Sequence, residues 1–112
     1  MTTIYIGTAF KELRLTPKGS FSFENDLYVV LFNKQSRTYY PADGITEAEN
    51  GSYDIDWSEE VTKQMSTGVY TLEVYEIVDN KKSMLYRKKD YATAVIVAVS
   101  PGQDSGITPS NE

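Results

Sequence analysis

The sequence predicts an all-β fold, an antiparallel β-sandwich of about seven or eight short strands. Three observations carry that prediction. Apolar side chains recur at every second position through most of the chain, helical spacing is nearly absent, and Gly, Pro, Asn or Asp break the runs into strand-sized pieces. The length of 112 residues is that of one domain, and at this size folding buries roughly two-thirds of the unfolded chain's surface. Residues 1–100 are assigned to the sandwich. Residues 101–112, rich in Pro, Gly and small polar side chains, are assigned to a flexible tail.

The first strand is read through Ile4, Ile6, Thr8 and Phe10 on one face and Tyr5, Gly7 and Ala9 on the other, with Leu13 and Leu15 alternating just after it. Thr16-Pro17-Lys18-Gly19-Ser20 is a turn, because proline fixes φ and glycine accepts a positive one. L-Y-V-V-L-F, Leu27 to Phe32, is apolar on both faces and too short for a helix, so it reads as a central strand covered on both sides. Thr38-Tyr39-Tyr40 follows, stopped by P-A-D-G, in which Asp43-Gly44 signals a tight turn. From Ser52 to Trp57, Tyr53, Ile55 and Trp57 face inward and Ser52, Asp54 and Asp56 outward, a half-buried strand.

From Val69 on, Tyr70, Leu72 and Val74 are inward and Thr71, Glu73 and Tyr75 outward. Asp79-Asn80-Lys81 then turns the chain into a strand over Ser83 to Lys88. A last strand, Tyr91 to Ser100, places Ala92, Ala94, Ile96 and Ala98 on a face small enough for close approach to another surface.

Between these strands, E-E-V-T-K-Q-M-S-T-G-V-Y-T-L-E-V-Y-E has polar residues with a geometric reading. Ser58 can cap one helical turn near 58–65, with Glu59 and Glu60 at its positive end and Val61 and Met65 on one face. Gly68 supplies the turn that ends it. Tyr70 then begins a strand at the place where immunoglobulin-like sandwiches carry a tyrosine whose hydroxyl bends back to the preceding corner, and Leu72 stands where those domains have a core cysteine.

The run V-T-K-Q-M-S-T-G-V-Y-T-L-E-V-Y-E-I-V-D-N-K-K, with D-L-Y-V-V-L-F before it and a valine-rich strand after it, resembles the small immunoglobulin-like modules of phage virion proteins. These include baseplate upper-protein N-terminal domains and head-decoration or fibre modules. The resemblance spans Asp26 to Ser100 and lacks the glycine-rich lead usual before the Leu27 strand. It implies a non-enzymatic part in virion or tail assembly, by docking onto neighbouring subunits.

Composition narrows the function classes. Cysteine and histidine are both absent, which removes thiolate chemistry, disulfides, the usual neutral-pH base and the commonest metal ligand. Neither catalytic residues nor a cofactor are expected. A net charge of −5 disfavours nucleic acid and anionic bilayers, and Lys81-Lys82 with Arg87-Lys88-Lys89 read as a solvated hairpin end. The N-terminus has no signal-peptide pattern and no run is long enough to span a membrane, so synthesis in the cytoplasm is expected, with a virion as a further location.

Asp54 and Asp56, about 7 Å apart on one strand face, are weak candidates for calcium, since no loop organises them. Tyr5, Tyr39, Tyr40, Tyr75 and Tyr86 cannot all be core. Together with Ala94 and Ile96 they are the candidate interface, for other protein subunits or a second copy. The alternative is a carbohydrate-binding module, which stacks sugars on a planar row of exposed tyrosines.

Overall fold

The computed structural model describes residues 1–16 and 25–97. The turn expected after Thr16 and the tail expected at 101–112 lie outside those residues. Five strands, β1 (Thr2–Ile6), β3 (Asp26–Asn33), β4 (Thr38–Pro41), β7 (Gly68–Val78) and β8 (Lys81–Ile96), form one sheet in the order β1-β8-β7-β3-β4. Three more, β2 (Phe10–Leu15), β5 (Gly44–Glu47) and β6 (Tyr53–Trp57), form the facing sheet in the order β2-β6-β5. A 3-10 turn (Glu49–Gly51) joins β5 to β6, and the helical turn α1 (Glu59–Thr62) joins β6 to β7. The fold is all-β, and its partition of strands between two sheets is that of an immunoglobulin-like sandwich. Pairing is antiparallel except where β1 runs parallel to the end of β8.

Alternation decides which side chains meet between the sheets. Val29 and Leu31 of β3, Tyr70, Leu72 and Val74 of β7, and Ile55 and Trp57 of β6 fill the centre, with Ile4, Phe10, Met65 and Ala92 around them. The tryptophan ring packs on Phe10 at 5.7 Å, and its Nε1 donates to the Tyr40 carbonyl at 2.7 Å, tying the small sheet to the large one.

The first expected strand is two. Gly7, at φ +91, and the bond from Thr8 N–H to the Tyr5 carbonyl at 3.0 Å turn the chain after Ile6, so Phe10 starts β2 in the opposite sheet. The final two expected strands are one. β8 runs unbroken from Lys81 to Ile96 and absorbs the expected break as an irregularity opposite Tyr70 and Leu72, with Asp90 at φ +53. Asp43-Gly44 is a crossover between sheets rather than a hairpin turn. Gly44 lets the two strands approach closely there, since a Cβ would stand 3.1 Å from that of Asp56.

The corner before β7 is held by side chains. The Tyr70 hydroxyl donates to the Ser66 carbonyl at 2.8 Å, and Thr62 donates through Oγ1 to the Thr8 carbonyl at 2.9 Å. Ser58 sits at the start of α1 with its carbonyl accepting from Val61 and Thr62, but its side chain makes no capping bond. The Asp43 carboxylate instead accepts the Ser58 backbone N–H at 2.8 Å. Gly68 has φ +133, and a Cβ there would stand 3.3 Å from Asn33 Nδ2. Gly68→Ala is therefore expected to cost about 1–3 kcal/mol from backbone strain, read as a lower urea midpoint at unchanged slope.

Candidate functional site

A strand that is apolar on both faces has to be covered on both. On β3, Leu27, Val29 and Leu31 are covered by the small sheet, whereas Tyr28, Val30 and Phe32 point to the other side of the five-stranded sheet. No further layer of strand or helix lies over that side among the described residues. The sheet covers it from within its own surface. Phe32 stacks on Tyr39 of β4, with centroids 4.4 Å apart and planes 29° apart, and Tyr28 packs on Tyr75 of β7 at 6.1 Å. The Lys82 ammonium rests 4.0 Å above the Tyr28 ring.

In the middle of this face, opposite Val30, stands Glu73. It is 5% exposed although the alternation places it outward. Its Oε1 accepts the Tyr75 hydroxyl at 2.7 Å, and Oε2 lies 3.5 Å from Arg87 Nε on the paired residue of β8. A buried carboxylate needs such partners, because desolvation otherwise costs several kcal/mol per ion. Burial, then the hydrogen bond to Glu73 and its charge, push the Tyr75 phenol up to about 12.

That shift sets an alkaline prediction. The folded value lies above the ordinary 10.0, so the stability it contributes is complete below pH 10 and is lost as pH rises through about 12. Tyr75→Phe is expected to lose less stability than the wild type between those two values. Paired denaturant titrations across that window check it.

Toward the start of β7 the same face dips into a shallow groove. Phe32, Val69 and Thr71 form its floor, Tyr39 one wall, and Lys34, Arg37 and Lys89 its rim. Asn33 makes this rim possible. It is buried, and its Oδ1 accepts the N–H groups of Gln35 at 2.9 Å and Ser36 at 3.1 Å, closing the turn that carries Lys34 and Arg37. The irregularity at Asp90 sets Lys89 on the groove's other side. Lys34, Arg37 and Lys89 have no ion-pair partner among the described residues. An aromatic shelf 53% exposed at Tyr39, ringed by free cations, is suited to binding flat or apolar groups that carry carboxylates.

The candidate interface residues are scattered by this arrangement. Tyr39 and Tyr75 belong to the aromatic face, and Tyr5 lies half-exposed on β1, at the sheet's far edge. Tyr86 shares the Val74 register and lines a separate crevice with Leu13 and Leu85. Tyr40 points inward, packs on Tyr70 at 6.0 Å and donates to the Gln64 carbonyl at 3.0 Å, which corrects its assignment to the surface. Ala94 is 1% exposed and packs in the core, because its side of β8 is the one that faces the smaller sheet. Ile96, at the strand's end, is exposed. Leu72 is in the core, with Leu13 and Leu15 beside it in the crevice lining.

Asp54 is held by Arg14 through two bonds, at 2.7 and 3.1 Å, and the guanidinium lowers its pKa below the ordinary carboxylate value. That pairing takes up the oxygens a cation would need. No group of three or more carboxylates with metal-binding geometry occurs among the described residues. No helix there is long and apolar enough to cross a membrane.

The sequence pattern points to Tyr39 and Tyr75 as interface, but it places Glu73 simply outward and Arg87 and Lys89 in a solvated hairpin end, and it does not single out Asn33, Lys34 or Arg37. The available signal was the two-sided L-Y-V-V-L-F run, which demands a second cover that the remaining strands do not supply. Comparison with protein-family models, curated proteins and solved structures finds no match to the chain.

Proposed function

We propose that the chain is a non-enzymatic docking module, and that the solvent-facing side of its five-stranded sheet seats other protein subunits. The observation that carries this reading is the aromatic cluster of Tyr28, Phe32, Tyr39 and Tyr75 around the buried Glu73. Aromatic anchors beside arginine are the side chains that dominate protein interfaces. The resemblance of Asp26 to Ser100 to phage virion modules supports a place in a baseplate, tail or capsid decoration.

A second reading has its own observation: the flat, exposed Tyr39 ring is a surface on which a sugar could stack. Hydroxyl-radical footprinting separates the two. Docking predicts that Tyr39 and Phe32 become protected as protein concentration rises, while Tyr5 and Tyr86 do not. Protection by soluble oligosaccharides instead moves the function to carbohydrate binding. Protection by neither removes this face as a contact.

A further inference from the structure

One stretch of this chain carries negative charge alone. Every charged side chain between Thr38 and Thr62 is a carboxylate, a stretch that makes β5, β6, α1 and their connections. Within it Asp54 is taken by Arg14, Glu60 by Lys63, and Asp43 by the Ser58 N–H. Asp43, Asp56 and Glu59 line a shallow depression at the Ser58 corner beside one cation, Lys11, and Asp56 and Glu59 have no ion-pair partner among the described residues. Three cations without an ion-pair partner among the described residues, Lys34, Arg37 and Lys89, rim the groove on the opposite sheet, where they outnumber its one carboxylate, Asp90.

We propose that the groove's occupant is a second copy of this chain, which presents its β6–α1 acidic corner, with Asp56 and Glu59 leading. This rests on the docking reading above and names its partner. The two surfaces belong to opposite sheets of the sandwich, so the contact is heterologous. Each copy offers its groove to one neighbour and its acidic corner to another, and repetition gives a ring or an open filament.

The net charge of −5 opposes this association, and distance decides between the two effects. At physiological salt the Debye length is about 8 Å, so repulsion between whole molecules is largely screened while groups in contact still attract. Near 0.01 M salt the screening length is about 30 Å and repulsion reaches across the molecule; at 1 M it is about 3 Å and the contact attraction fades. Association therefore peaks at intermediate salt.

Sedimentation velocity of the full chain, over a concentration series at those three salt levels, tests this. Two surface variants accompany it: Arg37→Gln with Lys89→Gln, which neutralises the groove, and Asp56→Asn with Glu59→Gln, which neutralises the corner. Thermal melting confirms that both remain folded. The expected result is a wild type that grows with concentration and dissociates at high salt, and two variants that are monomers alone. Mixed in equal amounts, the variants form a dimer and stop, since one retains only a corner and the other only a groove.

A wild type that stays monomeric throughout overturns the proposal. So does a corner variant that associates like the wild type; if the groove variant still fails to associate, the docking face stands and only its partner surface is wrong. If both variants associate like the wild type, the docking face fails as well.

Discussion

Replacing Trp57 by alanine is expected to remove about 3–5 kcal/mol of stability, the range for deleting a fully buried aromatic ring. The ring is 0% exposed, fills the centre of the sandwich against Phe10, and donates to the Tyr40 carbonyl. Alanine leaves a cavity and an unpaired carbonyl at the same place. Domains of this size have about 5–15 kcal/mol in total, so the variant is left with little. Trp57→Phe keeps much of the packing and loses the donor, and is expected to cost about 1–3 kcal/mol. Because Trp57 is the chain's one tryptophan, far-ultraviolet circular dichroism must report the urea midpoints.

Tyr70 is the second large case, and two substitutions separate its roles. Tyr70→Ala removes a buried ring that packs on Tyr40 at 6.0 Å and should cost about 3–5 kcal/mol. Tyr70→Phe removes only the hydroxyl, whose 2.8 Å bond to the Ser66 carbonyl holds the corner between α1 and β7, and should cost about 1 kcal/mol. Hydrogen exchange in the segment from Thr62 to Gly68 should quicken in the second variant while the centre of β3 stays protected. Equal quickening throughout would mean that the bond stabilises the whole domain rather than the corner.

Local pattern and long-range pairing were unequally legible in the sequence. Alternation placed Tyr70, Leu72, Val74, Ile55 and Trp57 inward, where they lie, because parity along a strand follows from backbone geometry alone. Parity cannot show which face will find a cover. The small side chain of Ala94 suggests a contact surface, yet it lies in the core on the side of β8 that faces the smaller sheet. Alternation places Glu73 outward, yet its cross-strand neighbours Val30 and Arg87, with Tyr75 beside it, bury it. The irregularities in β8 also interrupt the parity count between Met84 and Ala92, and no turn residue announces the first of them. The groove draws on β3, β4, β7 and β8 together, so no single stretch of sequence carries its outline.

The two-sided L-Y-V-V-L-F strand is where the local and long-range readings meet. Its composition calls for cover on both faces; among the described residues one face meets the smaller sheet, and the other is covered only by its own sheet's aromatic side chains. That face is the one proposed above as the docking surface.

The most direct measurement of that face is the solution mass by light scattering of the wild type beside Tyr39→Ala, across a concentration series at physiological salt. Tyr39 is exposed and its side chain makes no hydrogen bond among the described residues, so its removal should leave the fold intact. The account predicts a wild-type mass that climbs above the monomer and a Tyr39→Ala mass that does not. An oligomer that forms equally in both, or a monomer in both, would contradict it.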